Sequence, residues 1–259
     1  MHLDHIANLL AGSTQELGTI LIRYLRETGG APLCAVAGSG FRTSPSNAAF
    51  AHGTFARSMD YDNTWFTHGG HPVAPTLPPV LALGEITGLP GRRLIEAFLV
   101  GLEVKARLHM AADTAQGERP FHGRGLMGEV AAAAAGAKLL GLDVWRTRMA
   151  LGLAAARAGG IDSTGTMSNP ADTGLAARSG TEAAILASMG YTANPDAIEA
   201  PLGFSQFIGQ GADLELIVRD FANPWHLTKQ GIAFKKYPCQ YPTHRHIDAI
   251  LDLRRDRRA

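Results

Sequence analysis

A chain of 259 residues that is 46% hydrophobic has enough apolar material for one large core or two modest ones. Its 24 basic and 23 acidic residues leave a formal net charge of +1. There is no broad field to attract nucleic acid or an anionic membrane, and any anion must be held by a local arrangement. The two cysteines, Cys34 and Cys239, have no CxxC pairing, which argues against a disulfide framework, a zinc knuckle or an iron–sulfur cluster built by this chain alone.

Residues 1–12 show no basic region leading into a long apolar stretch, and residues 130–142 are alanine-rich and interrupted by Lys138. Neither reads as a secretory signal or a membrane span, so a soluble cytoplasmic protein is expected. Ser13-Thr14-Gln15-Glu16 reads as a capping box. It opens a helix along Leu17, Ile20, Leu21, Tyr24 and Leu25 that Gly29-Gly30 ends. Ser44-Pro45 is a second start signal, for a helix reaching about Met59. Pro72, Pro75, Pro78 and Pro79 punctuate the next stretch, and helical spacing resumes over residues 80–86. Pro90 opens a helix with Leu94, Ile95, Phe98, Leu99 and Leu102 on one face. Residues 128–140 form an alanine-dense helix, Asp143 caps one running towards Ala158, and Asp172 or Thr173 begins another that ends at Gly190. Only residues 231–237 look extended, ahead of a helix over 243–253. The expectation is an all-α bundle with strand confined to the last forty or so residues.

Four polar segments are candidates for chemistry. The densest runs from Asp60 to Pro72 and holds Asp60, Asp62, Thr64, His68 and His71. Its plain reading is a solvated loop with a capping aspartate. As an EF-hand it fails, because Trp65 stands where glycine is required and His71 where glutamate is. Asp60-x-Asp62-x-Thr64 fits the pattern of a phosphotransferase nucleophile, but a helical segment precedes it instead of a buried strand. His68 and His71 with the aspartates match no standard metal spacing. Acid–base work by His71, held by a carboxylate, is the remaining sharp reading.

The second segment, Arg119 to Gly128, sets His122 and Arg124 among glycines before a helix, which suits a carboxylate. Its plain reading is a flexible turn. The third, Gly159 to Pro170, lacks the GK[ST] of a phosphate-binding loop. The fourth, Phe234-Lys235-Lys236-Tyr237-Pro238-Cys239, offers one or two ammonium groups, although adjacent lysines are usually just solvated.

Taken in order, residues 48–64 with His71-Pro72, 121–143, 165–203 and 231–253 resemble the MmgE/PrpD family, over nearly the whole chain. The resemblance implies a large helical domain, here 1–230, followed by the start of a smaller α/β lid domain, 231–259. It implies a homodimer and a site that uses no metal and no organic cofactor. Asp60, Thr64, His71 and His122 are the implied catalytic residues, converging on one cleft. Lys235 is carried over to the substrate from the Phe-Lys-x-Tyr-Pro-Cys segment, and Arg124 and Asn169 are added as binding residues from the second and third segments. The implied activity is a lyase, dehydratase or decarboxylase, for a small polycarboxylate such as 2-methylcitrate or cis-aconitate. Epimerisation of an aspartate-like dicarboxylate, an inactive truncated paralogue and a helical interaction protein are the alternatives.

Three departures from the family pattern stand out. Ser168-Asn169-Pro170-Ala171-Asp172 replaces a run that carries a lysine and a histidine in relatives. Gln240 or Tyr241 occupies a polar site position. The chain is also expected to begin after the usual first helix and to stop near the start of the lid, with little turnover by itself.

Overall fold

The computed structural model describes residues 1–65, 70–115, 123–160, 165–209 and 211–256, with 123–125 by backbone alone. The helices come first as α1 (His2–Ser13) and α2 (Glu16–Thr28), then a hairpin of β1 (Cys34–Val36) and β2 (Phe41–Thr43). After it run α3 (Pro45–Arg57), the two-residue β3 (Thr64–Trp65), α4 (Val73–Thr87), α5 (Gly91–Asp113), α6 (Gly123–Leu139), α7 (Val144–Arg157) and α8 (Ser168–Ser188). The rest is short: α9 (Ser205–Ile208), α10 (Glu215–Val218), α11 (His226–Gln230), β4 (Ile232–Ala233), a 3₁₀ turn at Tyr241–Thr243, and α12 (His244–Asp256). The fold is an all-α bundle, as the sequence predicts.

Small residues set its centre. Helix α8 lies between α3 and α6, and α6 is sandwiched between α8 and α5. The run from Ala131 to Ala135 on α6 is almost wholly buried. A Cβ at Gly174 would overlap Thr54 and the Phe50 carbonyl of α3, and one at Gly180 would overlap Ala132 of α6. Only glycine lets these backbones approach so closely. Around that contact, Leu108, Leu126, Met127, Val130, Phe204 and Ile208 form one apolar cluster. Trp65, Val73, Leu77, Leu83, Phe98 and Leu139 belong to another, beneath β3 and α4.

Capping signals place several boundaries. Ser44 Oγ accepts from Asn47 N, Asp143 Oδ1 accepts from Arg146 N at 2.7 Å, and Gly29 ends α2 at φ 75°. Other expectations need correction. Ser13 is the last residue of α1 and its hydroxyl donates to the Leu10 carbonyl, so it caps nothing; Gln15 stands at the N-cap of α2 without a side-chain bond. Helix α4 starts at Val73, with Pro78 and Pro79 inside it. Pro75 falls in the first turn, where the missing N–H has no intrahelical partner. Helix α8 starts at Ser168, four residues before Asp172. Strand is not confined to the last forty residues, because β1, β2 and β3 all precede them.

The pairing of β3 with β4 positions the site. It is antiparallel, with Thr64 opposite Ala233 and Trp65 opposite Ile232. A stretch some 170 residues downstream in the chain is thereby tied to the polar segment that follows α3. No helix among the described residues is long and apolar enough to cross a membrane.

Candidate active site

Helix α3 ends at Arg57, and a turn closed by Asp60 N donating to the Arg57 carbonyl reverses the chain. Asp60 takes φ 51° there, a left-handed conformation that aspartate tolerates better than most side chains. The turn aims its carboxylate at two cations. Asp60 Oδ1 accepts from Arg57 Nη1 at 2.9 Å and from Lys235 Nζ at 2.6 Å, and the lysine also donates to the Asp60 carbonyl. Lys235 reaches this point because β4 holds the preceding residues against β3. Its neighbour Lys236 turns outward to Asp248, so the lysine pair divides into a site residue and a surface residue.

Beyond the turn the chain dives inward, and Asp62, Asn63 and Thr64 are all buried. Asp62 Oδ2 lies 2.8 Å from His71 Nδ1. The His71 carbonyl accepts from Lys105 Nζ at 2.7 Å, a lysine wholly buried on α5. Burial pushes the His71 imidazole down to about 4, with Arg57 and Lys235 lowering it further against the pull of Asp62. Burial works to raise Asp62, but His71, Arg57 and Lys235 outweigh it and bring the carboxyl down to about 2. An ionised carboxylate only accepts hydrogen bonds, so the proton of the neutral ring sits on Nδ1 and the lone pair on Nε2. That Nε2 lies 3.8 Å from Asp60 Oδ1, at the wall of the cleft.

The cleft has a volume of about 740 Å³. Arg57, Asp60, Thr64 and His71 line one side, Gly165, Thr166 and Asn169 a second, and Lys235, Gln240 and Tyr241 a third. Asn169 lies in the first turn of α8 and accepts from Arg57 Nη2 at 3.2 Å, so it fixes the arginine. The N-cap residue of α8, Met167, makes no side-chain capping bond, and a helix N-terminus favours negative charge. Two cations paired with the Asp60 carboxylate, a helix start and a neutral imidazole therefore surround this space.

Of the residues expected to converge, Asp60, Thr64, His71, Lys235 and Asn169 do line one cleft. His122, like His68, lies outside the described residues, and nothing is described of the Arg124 side chain. Asp172 is not among the described residues lining the cleft. Asp60, Asp62 and His71 bring one ligand atom each within 4.8 Å of one another. Their chemistry opposes a cation nonetheless, since Arg57 and Lys235 already hold Asp60 and the His71 ring holds Asp62.

Sequence reasoning missed two residues and left a third without its exact role. A carboxylate holding His71 is expected from the segment, but the sequence does not say that it is Asp62. Arg57 gave no signal beyond its place at a helix end. Lys105 could have been found, because three residues after Leu102 it falls on the buried stripe of α5.

Comparison with known proteins extends this geometry. A family model described as the MmgE/PrpD N-terminal domain matches residues 1–217. The chain is 35% identical over 221 residues to a Mus musculus protein named cis-aconitate decarboxylase, covering 83% of this chain and 45% of that one. It is 33% identical over 264 residues to a Homo sapiens protein of the same name, covering 98% and 54%. Identity to a cis-aconitate decarboxylase-like protein of Aspergillus oryzae is 28% over 242 residues, covering 86% and 49%. The chain spans about half the length of these relatives.

Proposed function

Since the chain belongs to the MmgE/PrpD family, we propose that it serves a cofactor-independent lyase, dehydratase or decarboxylase, for a small polycarboxylate such as cis-aconitate or 2-methylcitrate. The observation that carries this reading is the buried Asp62–His71 pair, with Nδ1 engaged at 2.8 Å and Nε2 turned to a cleft that holds Arg57 and Lys235. In a dehydration, Nε2 takes the proton α to a carboxylate. The C–H electron pair becomes the new double bond, and the hydroxyl leaves with a proton as water. In a decarboxylation, the C–C pair stays on the substrate as CO₂ leaves, and a proton is delivered to that carbon. A bound polyanion raises the proton affinity of His71, so the same ring can carry the proton in either direction. Lys235, Arg57 and the α8 N-terminus hold the carboxylates and stabilise the developing negative charge.

The assignments of Thr64 and His122 as further catalytic residues, and of Arg124 and Asn169 as binding residues, belong to the same proposal. So does the division into a helical domain, 1–230, and the start of a lid, 231–259. A cytoplasmic homodimer is the assembly we propose. An apolar groove of about 490 Å³ lined by Leu17, Ile20, Tyr24, Met167 and Leu175 supports association.

The test supplies cis-aconitate or 2-methylcitrate in deuterated water and follows CO₂ release, water loss and deuterium uptake by NMR. Weak turnover that disappears in His71→Ala is the expected result. Turnover indifferent to that substitution overturns the role given to His71. Deuterium uptake into an aspartate-like dicarboxylate, with neither CO₂ nor water lost from any acid, would replace the lyase by an epimerase.

A further inference from the structure

Helix α5 buries two charged side chains four residues apart, Glu103 and Arg107, 2% and 7% exposed. That spacing puts both on one face, and Arg107 Nε donates to Glu103 Oε1 at 2.7 Å. Neither uses its remaining capacity within the helix. Glu103 Oε2 accepts from His226 N at 2.7 Å, and Oε1 accepts from Ala222 N at 3.4 Å. Arg107 Nη1 donates to the Leu216 and Arg219 carbonyls, and Nη2 to the Asp220 carbonyl at 2.6 Å. These polar contacts all fall on the backbone of residues 216–226. Asp220 and Ala222 take φ 51° and 58° there, a left-handed conformation that alanine adopts only where its surroundings enforce it. The chain then runs from His226 through α11 and a left-handed Gly231, φ 69°, to β4 and Lys235.

We propose that Glu103 and Arg107 are positioning residues for Lys235. They anchor residues 216–226 to α5 and so deliver β4, and with it the ammonium group, to Asp60. The β3–β4 ladder pairs only Thr64 with Ala233 and Trp65 with Ile232, and so short a ladder is not stable by itself in water. Its support comes from upstream. The His226 ring packs edge-on against Trp65 of β3 with centroids 6.0 Å apart. Leu227 and Ile232 pack on the cluster that contains Leu102 and Ala106 of α5. With His226 N fixed by a carboxylate, the connection onwards to β4 is short, and closing it onto β3 costs little entropy. Helix α5 also supports the base, through Lys105 Nζ and the His71 carbonyl at 2.7 Å. One helix therefore sets the separation between the His71 imidazole and the Lys235 cation.

The anchoring is tested without substrate, by acetylating the folded protein with acetic anhydride and following each lysine by mass spectrometry. In the unmodified chain Lys235, with a side chain 2% exposed, should react slowly and Lys236, 64% exposed, quickly. Lys105, buried in the bundle, reports whether the whole fold has opened. Replacing both partners, Glu103→Leu with Arg107→Met, leaves no unpaired charge inside the bundle and lets residues 216–226 bond to water. Lys235 should then acetylate about tenfold faster or more, as local opening implies, with Lys105 unchanged. A glycine pair inserted after Gly231 keeps the Glu103–Arg107 contacts but slackens the connection. It should expose Lys235 in the same way, and it decides the matter should the first variant fail to fold. Lys235 that stays protected in the insertion variant overturns the proposal, since the ladder then holds it unaided. Lys235 that opens only together with Lys105 overturns it as well. The consequence for catalysis rests on the substrate role proposed above for Lys235. With the glycine pair inserted, KM for the preferred polycarboxylate should rise about tenfold or more, as loss of a charge-assisted contact implies. Lys235 that opens with no change in KM leaves the anchor standing and removes the lysine from substrate binding.

Discussion

Asp62 and Glu129 are both carboxylates in the interior of the bundle, 1% and 8% exposed, and they titrate in opposite directions. Asp62 is brought down to about 2 and Glu129 pushed up to about 7. Burial works to raise both, so the difference lies in what faces them. Asp62 meets the His71 ring directly, with Arg57 and Lys235 behind it. Glu129 has two arginines nearby, but Glu182 occupies them. A buried acid is thus ionised by cations that point at it and not by cations merely close to it. The His71 cleft holds a fixed anion that orients a base, and the packing around Glu129 favours a neutral acid.

The largest expected effect on that contrast comes from the base itself. His71→Ala should lower kcat on the preferred polycarboxylate by on the order of 10²–10⁴-fold, measured with the protein at equal folded concentration. Asp62→Asn should cost about 10²-fold or more. An amide that donates to Nδ1 forces the imidazole proton onto Nε2, the wrong tautomer for a base. If Asp62→Asn leaves kcat intact, the pairing is merely structural. Lys105→Met removes the support beneath the His71 carbonyl and should lower kcat roughly tenfold through misplacement of the ring, with KM little changed.

On the other side of the comparison the effect is on stability. Glu129 has a folded-state value raised to about 7 from an ordinary 4.5. The native state is therefore penalised as pH climbs from about 4.5 through 7, and fully so above. Glu129→Gln removes that penalty. It should raise unfolding free energy by roughly 2–4 kcal/mol at pH 8 and by little at pH 4. Equal urea midpoints for the two proteins at pH 8 would show that Glu129 titrates normally.

The helices were legible wherever a cap or an apolar stripe marked them, as at Ser44, Asp143 and Phe98. Helix α1 was not, because its buried face is His5, Asn8, Leu9 and Gly12. Of those only Leu9 is a large apolar residue, while Leu3, Ile6 and Leu10 stay exposed. The three-residue strands of the hairpin are too short to show alternation. In the site, residue types and order led to Asp60, Thr64, His71 and Lys235. What the sequence does not display is which aspartate faces which cation. That depends on the left-handed turn at Asp60 and on the pairing of β3 with β4. Glu129 was invisible for a related reason. It reads as one polar position before an alanine run, and its surroundings come from three different helices.

The central claim is that His71 is a neutral base with its proton on Nδ1 towards Asp62. Nitrogen-15 NMR of the imidazole, collected from pH 5 to pH 8 on the unliganded protein, tests it without any assay of activity. A ring value near 4 predicts a neutral imidazole across that whole range, with Nδ1 protonated and Nε2 bare. An imidazolium that persists to pH 6 or above, or a ring protonated on Nε2, would contradict the account.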